Sequence, residues 1–150
     1  VASLVGSEMC IRDSINTRKE AEEVLHNDGV LVLFPSGTIA TKQNLKKNTK
    51  ADDGEWKQWV SKLVLKTKSP VLPIFFDGQN SQLYHIANKI GQTFRYSLCM
   101  YELKRKIGDD IHMYFGSLIP YENLVKIGDI KKITQYLRST TYSLDPQFNN

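Results

Sequence analysis

The chain has 150 residues, with 20 Lys plus Arg against 16 Asp plus Glu, 41% hydrophobic residues, 9 Gly and 5 Pro. That balance excludes a disordered tail, a collagen-like repeat and a low-complexity array, and the length has room for one packed domain. No apolar run nears the roughly 18 residues of a membrane-spanning helix, and a net charge of +4 favours anionic partners only weakly. Cys10 and Cys99 lie far apart without metal-ligand spacing, so neither a disulfide framework nor a zinc site is implied and a reducing compartment fits best.

Residues 1–14 stand apart. Leu4-Val5-Gly6-Ser7-Glu8-Met9-Cys10-Ile11-Arg12-Asp13-Ser14 resembles the in-frame translation of a sequencing-library adaptor, and a signal peptide fits poorly because a basic leading region is missing and Glu8 interrupts the apolar stretch. Setting these residues aside removes Arg12, Glu8 and Asp13 and leaves 19 basic against 14 acidic residues. On this reading the natural N-terminus is missing, and residues 15–150 are the C-terminal part of a single domain.

Ala21, Val24 and Leu25 share one face among Lys19, Glu20, Glu22 and Glu23, the pattern of an amphipathic helix ending at Asn27-Asp28-Gly29. Val30-Leu31-Val32-Leu33-Phe34 is apolar on both faces, as a strand buried within a helix-covered sheet would be, and Pro35-Ser36-Gly37-Thr38 stops it. Residues 41–54 are polar, with Lys42, Lys46, Lys47 and Lys50, and read as a loop. Asp52-Asp53 are placed to cap a helix whose apolar residues Trp56, Trp59, Val60, Leu63 and Val64 recur at helical spacing.

Val71-Leu72-Pro73-Ile74-Phe75-Phe76 reads as a strand closed by Asp77-Gly78, with Pro73 at an edge, an end or a bulge because it lacks a ladder donor. Helical stretches are expected over residues 81–90 and 93–107. A third strand follows at residues 111–115, where Ile111, Met113 and Phe115 alternate with His112 and Tyr114. Ile130, Ile133, Leu137 and Leu144 mark a last helix. Helices and strands thus intermingle along the chain, which predicts the α/β class.

The segment with the most chemistry is Leu33-Phe34-Pro35-Ser36-Gly37-Thr38. A strand that stops there brings hydroxyls and backbone amides to the carboxyl edge of a sheet, where open α/β sheets bind ligands. Pro35 sets the chain direction, Gly37 permits positive φ, and Ser36 and Thr38 add donors suited to a phosphate or other oxyanion. Taken alone, such Pro-x-Gly turns are common and an ordinary turn is the default.

A resemblance changes that weighting. Phe34-Pro35-Ser36-Gly37-Thr38 resembles the third block of the glycerolipid and lysophospholipid acyltransferase superfamily, whose usual form is Phe-Pro-Glu-Gly-Thr, and Val71-Leu72-Pro73-Ile74 resembles its fourth block. The likeness continues through Phe76-Asp77-Gly78-Gln79-Asn80-Ser81, the helix with Arg95, and Tyr114-Phe115-Gly116-Ser117-Leu118-Ile119, as in bacterial acyltransferase or hemolysin-like members, and covers about residues 15–150.

It implies a mixed, largely buried sheet flanked by helices, incomplete at its N-terminus. It also implies transfer of a fatty acyl group from acyl-CoA or acyl carrier protein to a lysolipid hydroxyl, at the cytoplasmic face of the inner membrane or in the cytoplasm, without a cofactor or metal. Phe34, Pro35, Ser36, Gly37, Thr38 and Pro73 are its substrate-binding candidates. The partners implied are the acyl donor and lysolipid acceptor, a carrier protein and a peripheral membrane surface, with no nucleic acid.

Such a reaction uses a His-x4-Asp block in which His is the general base and Asp orients it. His26, His85 and His112 are followed five positions on by Leu31, Ile90 and Ser117, so no pair of that form occurs in this chain and the catalytic residues are expected upstream. Ser36 replaces the usual Glu, and Ile39 stands where many members carry an Arg able to clamp a phosphate, so a lysophosphatidate acceptor is less secure than the reaction type and an aminolipid or other lysolipid acceptor stays open.

The remaining conspicuous residues have ordinary readings. Trp56 and Trp59 share the apolar stripe of their helix and read as core anchors. His85 and His112 read as structural residues, Cys99 as a packed thiol, and Lys104-Arg105-Lys106 with Arg95 as a solvated helix end as readily as a headgroup contact. The competing function is a non-catalytic anion, lipid-headgroup or nucleic-acid binding module, motivated by the lysines after Thr41; it needs exposed aromatics among the basic residues. A phosphate-transfer enzyme is disfavoured because Gly37 stands without a Gly-Lys-Ser/Thr sequence.

Overall fold

The computed structural model describes residues 2–4, 11–37, 40, 51–78, 101, 104 and 107–146. In chain order these form β1 (Ala2–Leu4), α1 (Ile11–His26), β2 (Val30–Val32), α2 (Trp59–Thr67), β3 (Ile74–Asp77), β4 (His112–Phe115), α3 (Tyr121–Ile127) and α4 (Ile130–Tyr142). The architecture is mixed helix and strand. The helices expected over residues 81–90 and 93–107 lie outside the described residues, apart from Tyr101 and Lys104, both helical and exposed.

β1 and β2 pair in parallel with Ala2 opposite Val30, joined through α1 as a parallel pair requires. α1 stops where the sequence indicates: the Asn27 and Gly29 amides donate to the carbonyls of Glu23 and Val24, and Asp28 takes a positive φ of 57°. β3 and β4 pair antiparallel, Ile74 opposite Phe115 and Asp77 opposite His112, and an isolated bridge joins Val71 to Ile119. Pro73 sits between bridge and strand, where its missing N–H breaks no ladder while its carbonyl accepts from the Gly116 amide at 2.9 Å.

The largely buried sheet expected from the sequence is not what the described residues form. They form two separate two-stranded sheets, and a strand with one neighbour and one packed face leaves its other face open. Val30 and Phe34 are exposed although both faces of residues 30–34 are apolar. Residues 111–115 do not alternate in burial as predicted: Ile111, His112, Met113 and Phe115 lie exposed, and only Tyr114 is half-buried, opposite Phe75, whose ring is 6.1 Å from that of Tyr142 in α4.

Among the described residues the core is built mainly from helices. Val64 of α2, Ile119, Leu124 of α3, and Ile133 and Leu137 of α4 are buried together, with Trp56, Leu65, Val71 and Ile127 packed against them. Val60, Leu63 and Val64 fill the face that helical spacing assigned to them. Ser61 and Thr134, both buried, bridge α2 to α4 through hydroxyls 2.7 Å apart, and Thr134 in turn donates to the Ile130 carbonyl.

Two expectations need correction. Asp52 and Asp53 do not cap α2, which begins at Trp59 after Gln58; their carboxylates are taken by Gly54, Trp56, Arg138 and Tyr142, of which the Arg138 guanidinium makes the charge-assisted bond. The short helix α3 has no counterpart among the expected elements, because its seven residues, about two turns, are too few to show a helical period.

Candidate functional site

The turn expected at Pro35-Ser36-Gly37 is present. The Gly37 amide donates to the Phe34 carbonyl at 3.0 Å, and Gly37 has φ 64°, a conformation that any side chain would strain. That hydrogen bond commits the Gly37 amide to closing the turn, so polar recognition there falls to the other groups of the segment. Ser36 is buried, 4% exposed, whereas the Phe34 ring stands 55% exposed beside it. Thr38 and Ile39 lie outside the described residues.

Two contacts join segments that are far apart in sequence, one of them from the edge of this turn. The Phe34 ring lies 6.2 Å from that of Phe76 in β3. Pro73, buried just before β3, receives the Gly116 amide that follows β4. Gly116 is required there: a Cβ on it would sit 2.7 Å from the Pro73 ring and 3.3 Å from Leu144, closer than packed carbons allow. Of the sequence candidates, the structure therefore brings Phe34, Pro35, Ser36 and Gly37 together in one turn, with Pro73 on the strand segment that Phe34 reaches through Phe76.

The other candidates are dispersed. His26 ends α1 and is exposed; His112 begins β4, exposed and opposite Asp77. His85, Arg95, Cys99, Arg105, Lys106 and the lysines at 42, 46, 47 and 50 lie outside the described residues. Trp56 packs against the core while its indole N–H donates to Asp53 at 2.8 Å, and Arg18 lies 5.8 Å above the Trp59 ring. Among the described residues no three His, Cys, Asp or Glu side chains gather as a metal site would need, and no helix is long and apolar enough to cross a membrane.

A charged cluster beside the turn escaped sequence reasoning. The Pro35 carbonyl accepts from the Lys57 amide at 3.0 Å, so the turn rests on residues 52–57. That segment is in turn held by α4: Arg138 Nη2 meets Asp52 at 2.6 Å, Arg138 Nε donates to the Gly54 carbonyl at 3.2 Å, and the Tyr142 hydroxyl donates to Asp53 at 2.5 Å while accepting from its amide at 3.3 Å. Arg138 also stacks 4.6 Å above the Tyr142 ring.

Burial, reinforced by the bond to Asp53, pushes the Tyr142 phenol up to about 12. Burial works against the Arg138 charge, but the Asp52 hydrogen bond and the charges of Asp52, Tyr142 and Asp53 outweigh it, so the net shift is upward. Arg138 and Tyr142 are four residues apart on one helix face, yet no local pattern ties them to carboxylates more than 80 positions earlier in the chain.

Two curated proteins are similar to the chain, each in an alignment 132 positions long that covers 84% of it. Both are lyso-glycine lipid O-acyltransferases, from Bacteroides thetaiotaomicron at 25% identity and from Phocaeicola vulgatus at 23%. The chain spans about half the length of these relatives, 47% and 46% respectively. No family model and no solved structure matches. The similarity supports a relationship to acyltransferases, at low identity and over part of the relatives' length.

Proposed function

We propose that this chain is the acceptor-binding part of a lipid O-acyltransferase, which moves a fatty acyl group from acyl-CoA or acyl carrier protein to the hydroxyl of a lysolipid. The observation that carries this reading is the meeting of Phe34 of the Pro35–Gly37 turn with Phe76, and of Pro73 with Gly116, because these are the segments that resemble the acyltransferase blocks. The two relatives' names support the reaction class.

The acceptor is an aminolipid of the lyso-glycine lipid kind. Ile39 offers no guanidinium for a phosphate, and the relatives' names agree with that choice. Phe34 and the Pro35-Ser36-Gly37-Thr38 turn line the acceptor site, with Pro73 fixing the strand segment that carries Phe76. No His in the chain is followed at the fifth position by Asp, so the general base that takes the acceptor's proton belongs to sequence not contained in these 150 residues. The site works at a cytoplasmic membrane surface.

The test is equilibrium binding of a fluorescent lyso-glycine lipid to the purified chain, below micelle-forming concentration, with lysophosphatidate as the comparison. Preferential binding of the lyso-glycine lipid and no acyl transfer from acyl-CoA or acyl carrier protein are expected. Failure to bind either lysolipid overturns the acceptor site; turnover by the 150-residue chain overturns the placing of the base outside it.

A further inference from the structure

We propose that Arg138 and Tyr142 of α4 are positioning residues for the Pro35–Gly37 turn, acting through the segment 52–57 rather than by touching a ligand. This inference rests on the acceptor-site reading above and adds to it the part of the fold that sets the site's geometry.

The chain of contacts is continuous. Arg138 spans two points of the segment, the Asp52 carboxylate and the Gly54 carbonyl, and Tyr142 makes a reciprocal pair with the carboxylate and amide of Asp53. Trp56 is fastened to the same Asp53 through its indole N–H and packs on the helical core. One residue further, the Lys57 amide reaches the Pro35 carbonyl. Residues 53–57 lie in no helix or strand, so no internal ladder fixes their path, and side-chain bonds from a rigid helix take over that role.

α4 is well suited to the task. Ile133 and Leu137, buried in the core, lock its rotation, and the fork of Arg138 binds two acceptors in one geometry that a lysine could not reproduce. A turn proposed to hold an acceptor hydroxyl needs its position kept to within a fraction of an ångström, and α4 supplies that constraint from a distance.

The test compares the full chain with Arg138→Gln, with Tyr142→Phe as a milder second variant, and with Lys66→Gln, which removes an exposed ion pair to Glu22 elsewhere. Amide hydrogen exchange is followed at Gly37 and Lys57, with Gly29, whose amide is bonded to the Val24 carbonyl at the end of α1, as a reference. Exchange at Gly37 and Lys57 about tenfold faster in Arg138→Gln, less so in Tyr142→Phe, and unchanged at Gly29 is the expected result. Lyso-glycine lipid affinity is expected to fall in the same order and to stay unchanged in Lys66→Gln. Equal acceleration at all three amides, or unchanged affinity despite accelerated exchange, overturns the proposal. If the unaltered chain binds no lysolipid, the acceptor-site reading fails on its own, and the exchange pattern still decides whether α4 fixes the turn.

Discussion

Gly29 shows how one atom can decide a junction. Its position after a helix invites the usual explanation of positive φ, but the left-handed residue is Asp28. Gly29 is needed for closeness: a Cβ would lie 2.6 Å from the Val24 carbonyl oxygen and 2.7 Å from its Cγ1, with the backbone unable to yield. Gly29→Ala is expected to lower unfolding stability by about 1–3 kcal/mol, measured by urea denaturation. Tyr142 gives a pH-dependent counterpart. Its folded value of about 12 lies above the ordinary 10.0, so the folded state holds the phenol proton more tightly than the unfolded chain does. The associated stability is whole below pH 10, and is lost as the pH rises through about 12. Urea unfolding between those values should show a steeper alkaline loss for the unaltered chain than for Tyr142→Phe; equal slopes would contradict it.

Among elements, the helices were the most legible. The stripe Val60, Leu63, Val64 predicts the buried face of α2, and Ile133 with Leu137 that of α4, because a 3.6-residue period leaves few other ways to remove those side chains from water. What the stripes do not reveal is the polar seam between the two helices. Thr134→Val would leave the fully buried Ser61 hydroxyl without that partner and is expected to cost about 1–3 kcal/mol. The double variant Ser61→Ala, Thr134→Val should cost less than the sum of the single ones, a coupling readable from a double-mutant cycle. The strands were legible in place but not in burial. Residues 30–34 and 111–115 have strand patterns, yet pattern alone does not tell which face finds a neighbour, and β2 and β4 leave large apolar residues exposed.

At the scale of the whole molecule, the buried side chains of the described residues concentrate where α2, α3 and α4 meet. Leu124 is fully buried at that meeting point, and Leu124→Ala should remove about 2–5 kcal/mol, with a fall in thermal midpoint of several degrees. The candidate site rests on the margin of this core, its turn tied to α4 through segment 52–57. Sequence alone determined the elements' periodicity, the Pro35-Ser36-Gly37 turn and its acyltransferase resemblance, since these depend on residues adjacent in the chain or one helical turn apart. Only the tertiary structure decided that Asp52 and Asp53 bind Arg138 and Tyr142 instead of capping a helix, that Gly116 closes on Pro73, and that Phe34 meets Phe76. Each of these joins positions tens of residues apart, and such partners are chosen by packing and by competition among all available hydrogen-bonding groups, which no local pattern encodes.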